Sequence, residues 1–136
     1  MKKLKNLVIT GILLIFSTIV FTGCDNKSTE ETLQDQSWDI TNNNMVKTAD
    51  FSESNKLKVS QNGAGYSYNY NIITNDDDQE YMEITGKGSL DEYIKYVYKI
   101  NGTETGFNLI LDEEKSNNNA LNDTDDFVGN IQLDEK

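Results

Sequence analysis

From Ser37 onward, apolar side chains recur at every second residue in short runs, and this alternation restricts the fold more than any other feature of the sequence. One such run places Tyr66, Tyr68, Tyr70 and Ile72 on one face of an extended strand and small polar residues on the other. Period-two alternation is typical of half-buried strands, because successive side chains of a strand point to opposite faces. The sequence therefore predicts an all-β domain.

Eight alternating runs follow one another, separated mostly by short polar turns. Asparagine, glycine and aspartate dominate these turns, and they accept the backbone angles that tight hairpins require. Asn62-Gly63 is the clearest such turn, and Asn101-Gly102 directly follows another run. The apolar positions of the eight runs are Trp38 and Ile40; Ala49 and Phe51; Leu57 and Val59; Tyr66 to Ile72; Tyr81 to Thr85; Ile94, Tyr96, Tyr98 and Ile100; Phe107, Leu109 and Leu111; and Phe127, Ile131 and Leu133.

Eight consecutive antiparallel strands joined by short turns bury one apolar face by curling, and closure also removes the exposed edges that favour aggregation. We therefore expect a small eight-stranded antiparallel up-and-down barrel, with an open β-sandwich as the alternative. No window of helical length has a sustained apolar stripe, although Thr29 to Asp35 or Ser89 to Lys95 is compatible with one turn of helix.

The first 24 residues contain three lysines, an apolar stretch from Leu7 to Phe21, and the sequence Phe21-Thr22-Gly23-Cys24, which holds the only cysteine. This arrangement resembles the signal peptide and lipobox of a bacterial lipoprotein. The resemblance implies cleavage before Cys24, a diacylglyceryl lipid on its thiol, and an extracytoplasmic protein anchored to the outer face of the cell membrane. The alternatives are an ordinary secretory signal and an uncleaved anchor. The apolar stretch is shorter than the roughly 20 residues of a membrane-spanning helix, which disfavours the anchor.

The lipoprotein interpretation divides the chain into three parts. Residues 1–23 form the signal peptide, residues 24–36 form the lipidated cysteine and a flexible tether, and residues 37–136 form the β domain. The segment 25–36 is polar and nearly free of apolar residues, which is typical of a tether. Fully extended at about 3.3 Å per residue, it would allow the domain to lie roughly 40 Å from the membrane.

The β domain also has a family resemblance. Trp38 in the first strand, Phe51-Ser52 before a turn, a tyrosine-rich middle and a terminal Ile131 to Lys136 resemble the small lipocalin-like lipoproteins of Gram-positive bacteria. The resemblance covers about 100 residues and implies a lipocalin-like barrel. True lipocalins have glycine two residues before the tryptophan, whereas this chain has Gln36, so the resemblance is to the looser lipocalin-like group.

The charge of the chain excludes several functions. The leader holds three of the twelve lysines and none of the 23 acids, so the remaining chain has nine lysines, no arginine and a net charge of −14. Phosphate binding needs clustered cations, so a nucleic-acid partner is not expected. Histidine is absent, which removes nucleophilic triads and histidine-based zinc sites. We predict no catalytic residue, no enzyme activity and no cofactor beyond the covalent lipid.

Acidic residues offer two further kinds of site, and both have a simpler interpretation. The carboxylate pairs Glu80 with Glu83 and Asp91 with Glu92 fit a solvated acidic surface better than a glycosidase dyad. Asp76-Asp77-Asp78 and Asn122 to Asp126 supply oxygen ligands of the kind calcium binds. The second segment lacks the glycine and the terminal glutamate of an EF-hand loop, so we interpret both segments as solvated loops and predict no metal site.

The tyrosines are the remaining candidates for a ligand site. Tyr68, Tyr70, Tyr96 and Tyr98 are predicted to face the barrel interior from two strands, where rings give apolar contact and hydroxyls orient a ligand. The alternative is that they fill the core, since small eight-stranded barrels are often solid.

We expect a binding role at the cell envelope, with either a small apolar molecule inside the barrel or a protein on its outer face. One alternative is a bacteriocin immunity lipoprotein that intercepts a cationic peptide, because a net charge of −14 attracts cations. Another is an accessory subunit of an envelope enzyme or transporter.

Overall fold

Eight antiparallel strands pair in sequence order, and the eighth pairs back to the first, so that the sheet closes into a barrel. The computed structural model describes residues 27–122, 127 and 129–136. The predicted all-β, eight-stranded, up-and-down barrel is confirmed, in its closed form and not as an open sandwich. The strands are β1 (Ser37–Asn42), β2 (Met45–Ser52), β3 (Lys56–Gln61), β4 (Ala64–Thr74), β5 (Glu80–Lys87), β6 (Tyr93–Gly102), β7 (Gly106–Leu111) and β8 (Ile131–Glu135); the helices are α1 (Thr29–Gln34) and α2 (Asn118–Asn122).

The hairpin turns form where the sequence predicts them, because asparagine and glycine occupy the positions that need positive φ. The β3–β4 turn has Asn62 at φ 52° and Gly63 at φ 81°. The β1–β2 turn uses Asn43 at φ 47° and Asn44 at φ 65° in the same way. Two consecutive residues with positive φ are characteristic of the turn whose twist matches that of the flanking strands.

The interior of the barrel is filled by the alternating apolar residues. An eight-stranded barrel is just wide enough for side chains to occupy its interior, and buried residues alternate with less buried ones along the paired central part of most strands, as in β1 and β5. The buried cluster comprises Leu33, Trp38, Ile40, Ala49, Phe51, Leu57, Val59, Tyr68, Tyr70, Met82, Ile84, Ile94, Tyr96, Tyr98, Ile100, Leu109, Ala120, Phe127, Ile131 and Leu133.

The expected flexible tether over residues 24–36 is corrected from Ser28 onward, where the chain belongs to the folded domain. Ser28 and Glu31 form a capping box, in which each side chain accepts a hydrogen bond of 3.1 Å from the backbone N–H of the other residue. Leu33 is fully buried, and its carbonyl accepts a 3.0 Å hydrogen bond from the Trp38 indole. A single leucine, fixed by a capped helix, thus covers the end of the barrel where β1 begins, which we call the α1 end.

The opposite end, called the α2 end, is covered by the connection between β7 and β8. Ala120 on α2 is buried, and the Phe127 ring lies edge-on to Tyr68 at 4.9 Å between centroids and 5.4 Å from Tyr96. The sequence predicts only a polar stretch here, and α2 is an addition to that prediction. Most of the segment Asn122 to Asp126 lies outside the described residues.

The barrel closes tightly at the corner formed by β7, β8 and β1. A Cβ atom on Gly106 would lie 2.0 Å from the carbonyl oxygen of Leu133 and 3.0 Å from the Trp38 ring. The Trp38 ring also packs against Phe107 at 5.6 Å between centroids. Glycine is therefore required at the start of β7 so that the strands can approach each other. All eight strands, both helices and the whole described buried cluster lie within residues 27–136, so this segment is the one used to test the barrel.

We predict that Leu33 is essential to the stability of this segment. Leu33→Ala removes a fully buried side chain from the α1 end and should lower the free energy of unfolding by about 2 to 5 kcal/mol. Leu90→Ala is the matched control, because Leu90 is 87% exposed and its loss should change stability by less than about 0.5 kcal/mol. Urea unfolding of residues 27–136, followed by Trp38 fluorescence, measures both. Equal stabilities of the two variants would contradict the packing of α1 on the barrel.

Candidate functional site

The four candidate tyrosines lie together in the barrel interior. Tyr68 and Tyr70 come from β4 and Tyr96 and Tyr98 from β6, with β5 between them; Ile84 of β5 is paired with both Tyr70 and Tyr96. Their exposed fractions range from 0% to 6%. The prediction that they share the interior face is therefore correct, and in this structure they are part of the packed core.

Tyr70 connects α1 to the barrel. Its hydroxyl donates to the Ser52 carbonyl at 3.1 Å and lies 3.0 Å from the Gln34 side-chain nitrogen, which donates to it. Phe51 lies edge-on to its ring at 5.0 Å. Burial raises the pKa of Tyr70. Both hydrogen bonds are made within the chain, so the contacts of this tyrosine indicate a structural role.

Tyr98 differs from Tyr70 because its hydroxyl is buried and makes no hydrogen bond with any residue that the structure describes. Its ring stacks on Tyr96 with 6.1 Å between centroids. Burial, together with the neighbouring Tyr96, raises the pKa of Tyr98, so this phenol stays neutral at physiological pH. A buried hydroxyl without a partner costs stability and is a donor that a small polar molecule would satisfy.

Tyr96 also borders a cavity of about 370 Å³ at the α2 end, beneath α2. Leu111, Ala120, Leu121 and Phe127 also line it with apolar side chains, and Glu113 adds a carboxylate. This volume is within the range of small-molecule sites.

A second cavity, of about 420 Å³, lies on the outer surface of β4, β5 and β6. Ile73, Tyr81 and Val97 form its floor, and the Lys115 ammonium group lies 3.6 Å from the centroid of the Tyr81 ring. The segment after β7 runs alongside β6, where Asp112 N–H donates to the Val97 carbonyl at 2.8 Å. This groove is not among the sites predicted from the sequence. The sequence feature that could have indicated it is Val97, an apolar residue on the outward face of β6.

Large apolar side chains are exposed at the α2 end. Leu90 is 87% exposed, Tyr66 is 67% exposed and Tyr93 is 58% exposed. Tyr66 shares the inward face of β4 with Tyr68, as predicted, but the β4–β5 pairing ends at Asn69 and Thr85. Tyr66 therefore lies in the part of β4 that does not pair with β5, and its side chain is not covered by the core.

Exposed carboxylates are concentrated at the α1 end instead. They lie on α1, on the turns that follow β2, β4 and β6, and on β8. These residues are Glu31, Asp35, Glu53, Asp76, Asp77, Asp78, Glu104 and Glu135. Asp91, Glu113 and Glu114 are exposed carboxylates outside this group, so the α1 end holds most but not all of the exposed acidic side chains that the structure describes.

The carboxylate pairs considered in the sequence do not meet as dyads. Glu80 and Glu83 lie three residues apart on β5 and so project to opposite faces of the strand, and Glu80 accepts a hydrogen bond from Thr29. Asp91 forms an exposed ion pair with Lys87 at 2.8 Å, and this contact raises the pKa of the lysine.

Within the described residues, no group of three or more acidic or thiol side chains is arranged to hold a metal ion. Asp76-Asp77-Asp78 forms the β4–β5 turn, where the Asn75 side-chain oxygen accepts hydrogen bonds from the backbone N–H groups of Asp77 and Gln79. Neither α1 nor α2 is long and apolar enough to cross a membrane. Cys24, the predicted lipidation site, lies outside the described residues.

Comparison of the chain with protein-family models, curated proteins and solved structures finds no match. The class of protein is therefore defined by the fold itself, a closed eight-stranded antiparallel barrel with a largely filled interior. Most of its described exposed carboxylates lie at the α1 end, and Leu90, Tyr66 and Tyr93 are exposed at the α2 end.

The two buried tyrosines provide a paired prediction. Tyr98→Phe removes a buried hydroxyl that lacks a described partner and should raise the free energy of unfolding by about 1 kcal/mol. Tyr70→Phe removes two hydrogen bonds and should lower it by about 1 to 2 kcal/mol. Urea unfolding of residues 27–136 measures both changes. A loss of stability in Tyr98→Phe equal to that in Tyr70→Phe would mean that the Tyr98 hydroxyl has a partner.

Proposed function

We propose that this chain is a lipoprotein, anchored through Cys24 at the outer face of a cell membrane, that binds a partner on its outer surface and catalyses no reaction. The packed interior of the barrel carries this proposal. Twenty buried residues, including all four candidate tyrosines, form one cluster from the α1 end to the α2 end. Binding inside the barrel would require the displacement of part of this cluster, whereas the outer surface needs no rearrangement.

The position of α1 limits how far the domain lies from its proposed anchor. The helix is capped at Ser28, so only residues 25–27 separate Cys24 from the folded part of the chain. Extended backbone spans at most about 3.3 to 3.6 Å per residue, which allows about 15 Å in place of the roughly 40 Å expected for a longer tether. The acidic α1 end would then face the membrane and the α2 end would face away from it.

A second candidate function is capture of a cationic peptide before it reaches the membrane. The charge of −14 that remains without the leader supports it, as does the position of eight exposed carboxylates at the α1 end. An acidic surface raises the rate at which cations encounter a protein. A role as an accessory subunit remains an alternative that no described contact favours.

Lipid attachment is tested by substitution of the acceptor. Cys24→Ser removes the only thiol of the chain, so the protein should no longer incorporate labelled fatty acid and should lose the membrane attachment that depends on the lipid. The measurement is metabolic labelling of wild type and variant, with each also extracted from membranes under mild detergent. If the wild-type protein incorporates no label, the proposed lipid anchor is rejected, while the conclusions about the fold are unchanged.

Peptide capture is tested by its dependence on salt. If the acidic surface attracts the peptide, affinity for residues 27–136 should fall steeply between low and physiological ionic strength, since exposed charges are screened over about 8 Å at 0.15 M. Calorimetric titration with a synthetic lysine-rich peptide at both salt concentrations measures this effect. Affinity that does not change with salt would contradict the electrostatic account, and binding of an apolar compound that weakens on truncation of Tyr96 would favour an interior ligand.

A further inference from the structure

A third cavity, of about 510 Å³, lies on the outer surface of β7, β8 and β1. Thr41 and Ile110 belong to its lining, and none of the lining side chains is charged. We call this cavity the amide groove, because five of its lining residues carry a side-chain amide: Asn43, Asn44, Asn108, Asn130 and Gln132. The groove is a neutral surface on a chain whose net charge is strongly negative.

The strand pairing arranges the polar side chains of the amide groove in a row. Asn108 of β7 pairs with Gln132 of β8, and Gln132 pairs with Thr41 of β1. The burial pattern of each strand places all three residues on the outer face of the barrel. Neighbouring strands lie about 4.8 Å apart, so this row extends about 10 Å across the three strands.

Two amides of the groove are held in place by the chain. The Asn130 side-chain oxygen accepts a 3.0 Å hydrogen bond from the Leu111 backbone N–H, which ties the start of β8 to the end of β7. The Gln132 side-chain nitrogen donates to the Asp134 carboxylate at 2.8 Å. Side chains that are already fixed lose less conformational entropy when a ligand binds.

The other three amides of the groove are open to a ligand. Asn43, Asn44 and Asn108 make no side-chain hydrogen bond within the part of the chain that the structure describes. On the outer face of β4, by contrast, the Asn71 side-chain oxygen accepts a 3.0 Å hydrogen bond from the Asn55 side chain. The barrel thus has asparagines that bond within the chain and, in the amide groove, asparagines whose donors and acceptors face solvent.

The lining of the amide groove favours a neutral ligand rich in hydroxyl groups. A charged group placed there would lose hydration without meeting an opposite charge on the lining. A side-chain amide has both donors and acceptors, and so does a hydroxyl, so the two pair in either direction. Ile110, which is 38% exposed on the outer face of β7, adds an apolar contact two residues from Asn108. A sugar ring has the matching combination of hydroxyl and C–H groups.

We propose that the amide groove binds a neutral oligosaccharide, with sugar hydroxyls on Asn43, Asn44 and Asn108 and the C–H face of a ring on Ile110. The proposal rests on the first proposed function, the binding of a partner on the outer surface, and names the class of that partner. Asn43 and Asn44 form the β1–β2 turn at the α2 end, so the groove would lie on the part of the barrel that faces away from the membrane.

The test uses the full-length chain, purified in a detergent without a sugar head group, and calorimetric titration. The neutral probes are chitotetraose, cellotetraose and mannotetraose. At least one of them should bind, with an affinity that does not change between low and physiological salt, because a neutral ligand has no charge to be screened. The fully deacetylated form of chitotetraose has an ammonium group on each ring, so any binding of this cation to the acidic protein should weaken with salt.

Variants of the groove are compared with a matched asparagine elsewhere on the barrel. Asn108→Ala removes one open amide and should weaken the bound neutral probe about fivefold, the effect of losing one hydrogen bond. Asn43→Gly, which suits the φ of 47° at this position, should weaken it about twentyfold when combined with Asn108→Ala. Asn71→Ala, on the outer face of β4, should leave the affinity within about twofold. Circular dichroism of each variant confirms that the barrel has remained folded.

The outcomes separate this proposal from the function on which it rests. If the wild-type protein binds none of the neutral probes, the saccharide site is overturned, while binding of another partner on the outer surface stays in place. Equal affinity in the wild type and in the double variant would also overturn the site. Binding that survives in the double variant but is lost in Leu121→Ser would place the ligand in the cavity beneath α2, and would overturn both the site and the outer-surface function.

Discussion

The hydrogen bonds between β1 and β8 are the constraint on which the rest of the structure depends. They pair Trp38 with Glu135 and Ile40 with Leu133, and so convert a row of hairpins into a closed surface with no free edge. Closure fixes the interior volume, and the side chains that occupy it must then match that volume. Gly106, the first residue of β7, shows this constraint. A Cβ atom at this position would collide with the Leu133 carbonyl oxygen and touch the Trp38 ring.

The strands were predictable because each carries a period-two pattern bounded by turn residues with a known backbone preference. The helices were predictable only in part: Thr29 to Asp35 was correctly named as compatible with a turn of helix, whereas Ser89 to Lys95 forms a turn and the start of β6, and α2 was not predicted. Leu33 and Ala120 are the one buried apolar residue of α1 and of α2, so neither helix shows an apolar stripe. Their positions are decided by contacts with the barrel, such as the Trp38 indole on the Leu33 carbonyl. Local sequence does not contain information of this kind.

The candidate site was also predictable only in part: the face on which the tyrosines lie followed from the sequence, but their packing did not. Alternation correctly placed Tyr68, Tyr70, Tyr96 and Tyr98 on one interior face, but it gave no measure of how completely neighbouring side chains fill the space around them. The exposure of Tyr66 depends on where the β4–β5 pairing stops, which is a property of two strands and not of one. Binding of a ligand by these tyrosines stays a prediction.

The two ends of the barrel differ in the range over which they act. Charges such as those at the α1 end act on a partner across several ångströms of water, to about 8 Å at physiological salt, whereas apolar side chains such as Leu90 act only on contact. Most of the described exposed carboxylates lie at the α1 end, whereas Leu90, Tyr66 and Tyr93 lie at the opposite end. Attraction and contact can therefore be changed independently by substitution.

The pairing of the first strand with the last also has a consequence for biosynthesis. A chain that emerges from a channel N-terminus first exposes β1 early, yet its partner β8 at Ile131–Glu135 follows some 90 residues later. Until then β1 and β7 are both free edges, and the contacts that close the barrel are the most distant in sequence and the slowest to form. The nascent protein is thus most vulnerable to aggregation just before the barrel closes, and completion of the last five-residue strand ends that period.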